Sequence, residues 1–442
     1  MSARRNFFAL LRGGSGFAAV VQTGLATVLV LAINVVTGIV SARALGPQGR
    51  GELSALLLCP QFLSFLFALG LPSSTIVNIK RAPERASALM GTALVLSAVM
   101  GLVAAASGFV LMPRILRQYD ASLIATARAL LVFVMLGVTS TVAMAALQLR
   151  DRFVAYNRIR FWQSLLTLVA LVALAVPGAF RPVTGALAYV LPTVPFFLWS
   201  LWWVLREFRP SLHNVAAQCR TLLSYGWRVH AVDTGNALFL QIDKIILVAV
   251  LMPAAFGIYV VVFNLSRLVT TFASSAVPVL LPRTAGRSAA EVLAATSRAF
   301  SAMSVLTLAA VMCFVLFGSI ALRVVYGEQF ASGYWVLVIL SVEAALAGGA
   351  AVLQQPYLVL NRPGTIAVFQ GLSLGLAVLL VYALGARFGL EGAAAGLLAG
   401  TCLRFVLTYC GFAWLLRVRP PRLMPTRAEL ASLLSRARAS TA

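Results

Sequence analysis

Leu45-Gly46-Pro47-Gln48-Gly49-Arg50-Gly51 and Leu251-Met252-Pro253-Ala254-Ala255-Phe256-Gly257 carry leucine, proline and glycine at the same spacing, 206 positions apart. The correspondence continues on either side. Pro72 returns as Pro278, and Ala145, Leu147 and Gln148 return as Ala351, Leu353 and Gln354 at the same offset. With a shift of one further position, Gln163 matches Gln370, and Gly185-Ala186-Leu187-Ala188 matches Gly392-Ala393-Ala394-Ala395. Leucine, alanine and glycine are abundant in this chain, so a single match means little. Co-linear matches over several segments mean an internal duplication. Each copy is dominated by long apolar stretches, so the repeated unit is a membrane bundle, an architecture on which transport paths are built.

Composition supports the membrane assignment. The chain is 61% hydrophobic and 11% charged, with a mean hydropathy of +0.95. So much apolar surface cannot be hidden inside 442 residues, and lipid must be the main solvent. Twelve apolar runs approach or exceed the ~20 residues of a crossing helix. They are 15–42, 53–78, 87–112, 122–149, 160–180 and 184–205, then 231–252, 255–281, 298–322, 334–360, 365–386 and 391–416. Continuous runs, rather than alternating ones, exclude a transmembrane β-barrel. The fold class that follows is an all-α polytopic membrane protein of two six-helix repeats: an N-terminal lobe over 1–207, a C-terminal lobe over 208–416 and a tail over 417–442.

The net charge of +23 would suit a nucleic-acid partner, but its distribution points elsewhere. With a cytoplasmic N-terminus, 24 basic residues fall on one side of the membrane. Among them are Arg4, Lys80, Arg150, Arg152, Arg158, Arg206, Arg298 and Arg438. Only 8 fall on the other side, among them Arg43, Arg114 and Arg387. This asymmetry is the positive-inside rule, with both termini cytoplasmic. The basic Met1–Gly14 segment precedes an apolar run too long for a cleaved signal peptide, so it reads as the approach to an uncleaved first helix. Between the lobes, Val215, Cys219 and Leu222 at helical spacing predict a short helix lying along the membrane surface. Thr426-Arg427-Ala428-Glu429, a capping-box pattern ahead of Leu430, Leu433 and Leu434, predicts a similar amphipathic helix in the tail.

Five cysteines with no CxxC pair, and only two histidines, offer neither a disulfide framework nor a metal site. No nucleotide-binding glycine loop or nucleophile–base pair is present, so the expectation is a non-enzyme without cofactor.

Asp243, Lys244, Arg267, Glu343 and Arg404 are charges that lie well inside the apolar runs. Each costs roughly 2.5–3.5 kcal/mol at a helix centre, so they either pair with one another or line a wet cavity. Three cations against two carboxylates leave one positive charge in excess. Asp243 and Glu343 are candidates for ion coupling or for structural pairing. Gln22, Asn34, Gln61, Gln354, Gln355 and Gln370 suit either sugar hydroxyls or interhelical hydrogen bonds. Pro72 and Pro278, equivalent in the repeat, are candidate hinges or static kinks.

Three stretches carry a resemblance: Ala42-Arg43-Ala44-Leu45-Gly46-Pro47 through Gly51, Ile242-Asp243-Lys244-Ile245-Ile246-Leu247 continuing to Gly257-Ile258-Tyr259, and Tyr326-Gly327-Glu328-Gln329-Phe330. They resemble signatures of the polysaccharide and O-antigen flippases of the multidrug/oligosaccharidyl-lipid/polysaccharide exporter superfamily, and together span nearly the whole chain. Arg50 and Glu52 stand where that family often has aromatics, and Lys244 where arginine is common. The resemblance implies two lobes related by an axis along the membrane normal, with a central cavity between them. It implies a cargo as well: a polyprenyl-pyrophosphate-linked oligosaccharide, moved across the bacterial inner membrane by alternating access for surface polysaccharide synthesis. Membrane lipids, a polysaccharide polymerase and other assembly proteins are the partners it suggests. Excess positive charge suits the pyrophosphate, which Arg267 and Arg404 can grip bidentately while Lys244 acts as a point charge. Two related readings are a peptidoglycan-precursor flippase, which usually has two more helices, and a cation-coupled drug exporter, which typically has a carboxylate in helix 1, absent here. A membrane-embedded glycan ligase or polymerase is more distant, since the outer loops are short.

Overall fold

In lipid a chain must satisfy its own backbone N–H and C=O groups, and the helix does so within one segment. The computed structural model describes residues 16–176, 178–270, 289–360, 362–415, 418 and 420, without the side chains of 16–26, 227–240, 289, 290 and 363. No β-strand occurs among the described residues, so the protein is all-α. Eight helices there are long and apolar enough to cross a membrane. Large apolar side chains such as Leu102, Val110, Leu308, Leu316 and Leu379 stand exposed on them, as lipid-facing surfaces require. Two compact units divide the chain between Thr234 and Gly235.

The first unit contains α1 (Gly16–Leu66), α2 (Leu71–Arg81), α3 (Ala86–Ile115), α4 (Ala121–Leu130), α5 (Val132–Leu149), α6 (Phe153–Ala175), α7 (Pro182–Val190) and α8 (Thr193–Phe208). α9 (Val215–Val250) starts in it and runs into the second. The second unit continues with α10 (Pro253–Ser266), α11 (Ala289–Ala321), α12 (Tyr334–Leu353), α13 (Gln355–Val359) and α14 (Pro363–Trp414).

The duplicated proline does the same job in both copies. α1 is interrupted at Gly46, whose φ of 64° and ψ of −177° are open to glycine alone. Pro47 then opens the next helical stretch, where a missing N–H costs nothing. Pro253 likewise opens α10 after an extended Met252 (φ −62°, ψ 152°). Near the other end of the chain, α14 is interrupted at Gly389 (φ 61°, ψ −135°).

Pro72 sits differently from the interior kink that the sequence suggests. The helix stops completely through Leu69 (φ 46°) and Gly70 (φ 65°), and Pro72 lies in the first turn of α2. Gly70 packs on the backbone of Gly226 in α9, with no room for a side chain. Pro278 and the tail helix at 426–438 lie outside the described residues.

The linking segment also departs from the expected short surface helix. α9 runs unbroken from Val215 to Val250, with no proline inside to stop it. Leu222 is buried in the first unit's core with Leu71, Met90, Val142, Leu147 and Trp203. The Ser74 hydroxyl donates to the Leu222 carbonyl at 2.7 Å, and Ser87 to that of Arg209 at 2.6 Å. The second unit's core gathers Phe300, Leu353, Tyr357 and Phe412, with Tyr357 Oη donating to the Thr408 carbonyl at 2.7 Å.

Candidate functional site

Residues four apart on a helix share a face, and α10 uses that rule to carry Tyr259 and Phe263 as a stripe that Arg267 continues at its C-terminal cap. The Tyr259 and Phe263 rings stack with centroids 6.0 Å apart. Asp243 of α9 is fully buried, and its Oδ2 accepts the Tyr259 hydroxyl at 2.8 Å. The other carboxylate oxygen, Oδ1, is buried without a hydrogen-bond partner among the described residues. Beside it, Lys244 Nζ donates to Gln241 Oε1 at 2.9 Å and lies 3.7 Å from the Phe263 ring centroid. Arg267 Cζ lies 4.2 Å from the same centroid.

Arg267 also ion-pairs with Glu343 Oε2 of α12, and Thr401 of α14 donates to Glu343 Oε1 at 2.8 Å. The Glu343 side chain is only 2% exposed, whereas that of Arg267 is 19% exposed. Arg404, three residues beyond Thr401, is half-buried and feels the charges of both Glu343 and Arg267. Two cations thus share one aromatic ring, an arrangement that the quadrupole of the ring and the two carboxylates make tolerable.

The first unit holds a different feature, a cavity of about 570 Å³ lined by residues of α1, α2 and α4 to α8. No charged side chain lines it. Its polar groups are amides and hydroxyls, among them Gln61, Ser73, Thr141, Gln163 and Tyr189, interleaved with Phe65 and Phe133. The volume falls in the range of small-ligand sites.

Of the residues picked out by sequence, the second unit brings Asp243, Lys244, Arg267 and Glu343 to one locus, with Arg404 alongside. Gln61 lines the first cavity, whereas Asn34 is exposed outside it. Gln354 is buried with its Nε2 lacking a hydrogen-bond partner among the described residues, and Gln355 donates to the Ala351 carbonyl at 3.2 Å. Gln370 is half-buried, and the Gln22 side chain lies outside the description. Tyr259, Phe263, Thr401 and Gln163 were not singled out as site residues. The four-residue spacing of Tyr259, Phe263 and Arg267 is a signal that could have found the stripe.

Comparison with known proteins gives the family and the fold. Residues 18–287 match the polysaccharide biosynthesis protein family. The chain belongs to that family. Its fold also matches an inward-facing multidrug resistance MATE family transporter of the MOP superfamily, with a TM-score of 0.71 and 17% identity, covering 90% of this chain and 97% of that one. The lipid II flippase MurJ, in its inward closed conformation, matches with a TM-score of 0.75 and 10% identity, covering 90% of this chain and 88% of that one. No curated protein matches significantly. Family and fold together make this a multi-pass membrane protein of the polysaccharide biosynthesis family, with the fold that those two transporters share.

Proposed function

We propose that this protein translocates a polyprenyl-pyrophosphate-linked oligosaccharide across the bacterial inner membrane, by alternating access and without an enzymatic step. The reading includes twelve crossings with both termini cytoplasmic. Helices of 51 and 52 residues interrupted by Gly46 and Gly389 support that count, since a crossing takes only ~20 residues.

The observation that carries the proposal is the intramembrane charge locus of the second unit. Lys244, Arg267 and Arg404 outnumber Asp243 and Glu343, and such an excess is expensive in lipid unless it serves a polyanion. Guanidinium forks suit the oxygens of a pyrophosphate. The uncharged cavity of the first unit, with its amides, hydroxyls and rings, suits the sugars. Replacing Arg404 by Ala, or Arg267 and Glu343 together by Met and Gln, should abolish surface polysaccharide while protein abundance stays normal, and lipid-linked oligosaccharide should accumulate in the inner leaflet. Normal surface glycan in both variants would overturn the reading.

A further inference from the structure

A second hollow of about 670 Å³ lies between α6 and α8, at the end of α6 that carries Arg152 and Arg158. Arg152 and Arg158 stand on its rim, while Ile159, Trp162, Phe196 and Trp199 form its walls. It faces away from the polar cavity. Gln163 and Phe197 line that cavity, whereas Trp162 and Phe196, one residue earlier on each helix, line this groove. Consecutive helical residues point about 100° apart, so the two helices form a wall with a different hollow on each side. The groove is therefore on the lipid side of the first unit.

Its chemistry has two parts. Trp162 and Trp199 are exposed, and tryptophans in that state mark headgroup depth. Beyond them along α6, Leu166, Val169 and Val172 are also exposed, a continuous apolar track for an acyl chain. At the rim, Arg158 is exposed and makes no hydrogen bond, ion pair or ring contact within the described residues. Arg152 lies over the Trp203 ring at 5.1 Å, which leaves its N–H edges available. Among the neighbouring arginines, Arg150 pairs with Glu207 at 3.3 Å, and Arg160 and Arg206, over Tyr156 and Trp202, do not line the groove. Asp151 shares the rim and would repel an anion, so the two arginines leave it net positive by one charge.

We propose that this groove is a binding site for an anionic glycerophospholipid of the surrounding leaflet, with Arg152 and Arg158 on the phosphate, the tryptophans at the glycerol and the α6 track under an acyl chain. This lipid is a resident of the protein's outer surface rather than its cargo, because the groove opens away from the polar cavity.

The test uses the full-length protein in detergent, with lipid adducts read by native mass spectrometry. Phosphatidylglycerol, phosphatidylcholine and undecaprenyl pyrophosphate are offered in competition. Wild type should retain one phosphatidylglycerol in preference to phosphatidylcholine. Arg152→Gln with Arg158→Gln should weaken that retention by roughly thirtyfold, at about one surface-lipid interaction per arginine. The pair Arg85→Gln with Arg220→Gln, on the same basic side but outside the groove, should leave it unchanged. Arg152→Lys with Arg158→Lys should keep most of it. Equal retention of the two phospholipids by wild type would overturn the proposal, as would an equal loss in both glutamine pairs. Preferred retention of undecaprenyl pyrophosphate at this site would overturn it too, and would make the groove a cargo entrance. Should the glutamine pair not fold, the wild-type competition decides alone.

Discussion

Glu343 and Arg267 offer the sharpest test of how the second unit tolerates its charges. Glu343→Gln keeps the side-chain volume and still lets Thr401 donate to the amide oxygen, so the loss isolates the stranded cation. Truncating one member of a buried pair costs about 3–5 kcal/mol. Arg267 is 19% exposed and keeps its contact with the Phe263 ring, which places Glu343→Gln near the lower bound, about 3 kcal/mol. Arg267→Met instead strands a carboxylate only 2% exposed, which places it near the upper bound, about 5 kcal/mol. The double variant replaces the pair by two neutral side chains and should cost less than either single change. Denaturant unfolding of the purified protein in mixed micelles, run on all four proteins, gives the cycle. Single variants within about 0.5 kcal/mol of wild type, or a double variant whose cost is the plain sum of the singles, would refute the pairing argument.

Three further outcomes follow from other parts of the molecule. Tyr259→Phe removes the one hydrogen bond seen on buried Asp243 and should destabilise by about 1.5–3 kcal/mol in the same unfolding assay. Gly70→Ala forces a side chain into a left-handed position against the Gly226 backbone; it should cost at least 1–3 kcal/mol and lower the thermal midpoint. Gln61→Leu combined with Gln163→Leu should leave the thermal midpoint within a few degrees of wild type while cutting surface polysaccharide, measured by immunoblot of whole cells.

The duplication could be read from the chain because proline and glycine do geometric work wherever they stand. Pro47 and Pro253 both begin a helix, and no other residue type would have recurred there for the same reason. The membrane environment could be read from the length of the apolar runs. The interruption at Gly389 falls in the gap between the runs 365–386 and 391–416, and only the choice of residue needed the structure, through its φ of 61°. The continuation of α9 was hidden. Leu222 belongs to an amphipathic pattern in sequence, but it is packing on Leu71 and Trp203 that takes it off the surface. Among the site residues, the charges announced themselves through their cost in lipid. Gln163 and Tyr189 did not, because neutral polar side chains on separate helices converge only after folding.

Transport itself is the central claim, and reconstituted vesicles test it most directly. The purified protein is placed in liposomes whose outer leaflet carries a fluorescent, short polyprenyl-pyrophosphate oligosaccharide, and the fraction protected from an impermeant quencher is followed in time. Wild type should raise protection well above protein-free liposomes, and Arg404→Ala, folded to the same extent, should fall back towards them. Protection no faster than in protein-free liposomes, across imposed proton and sodium gradients of either direction, would contradict the account.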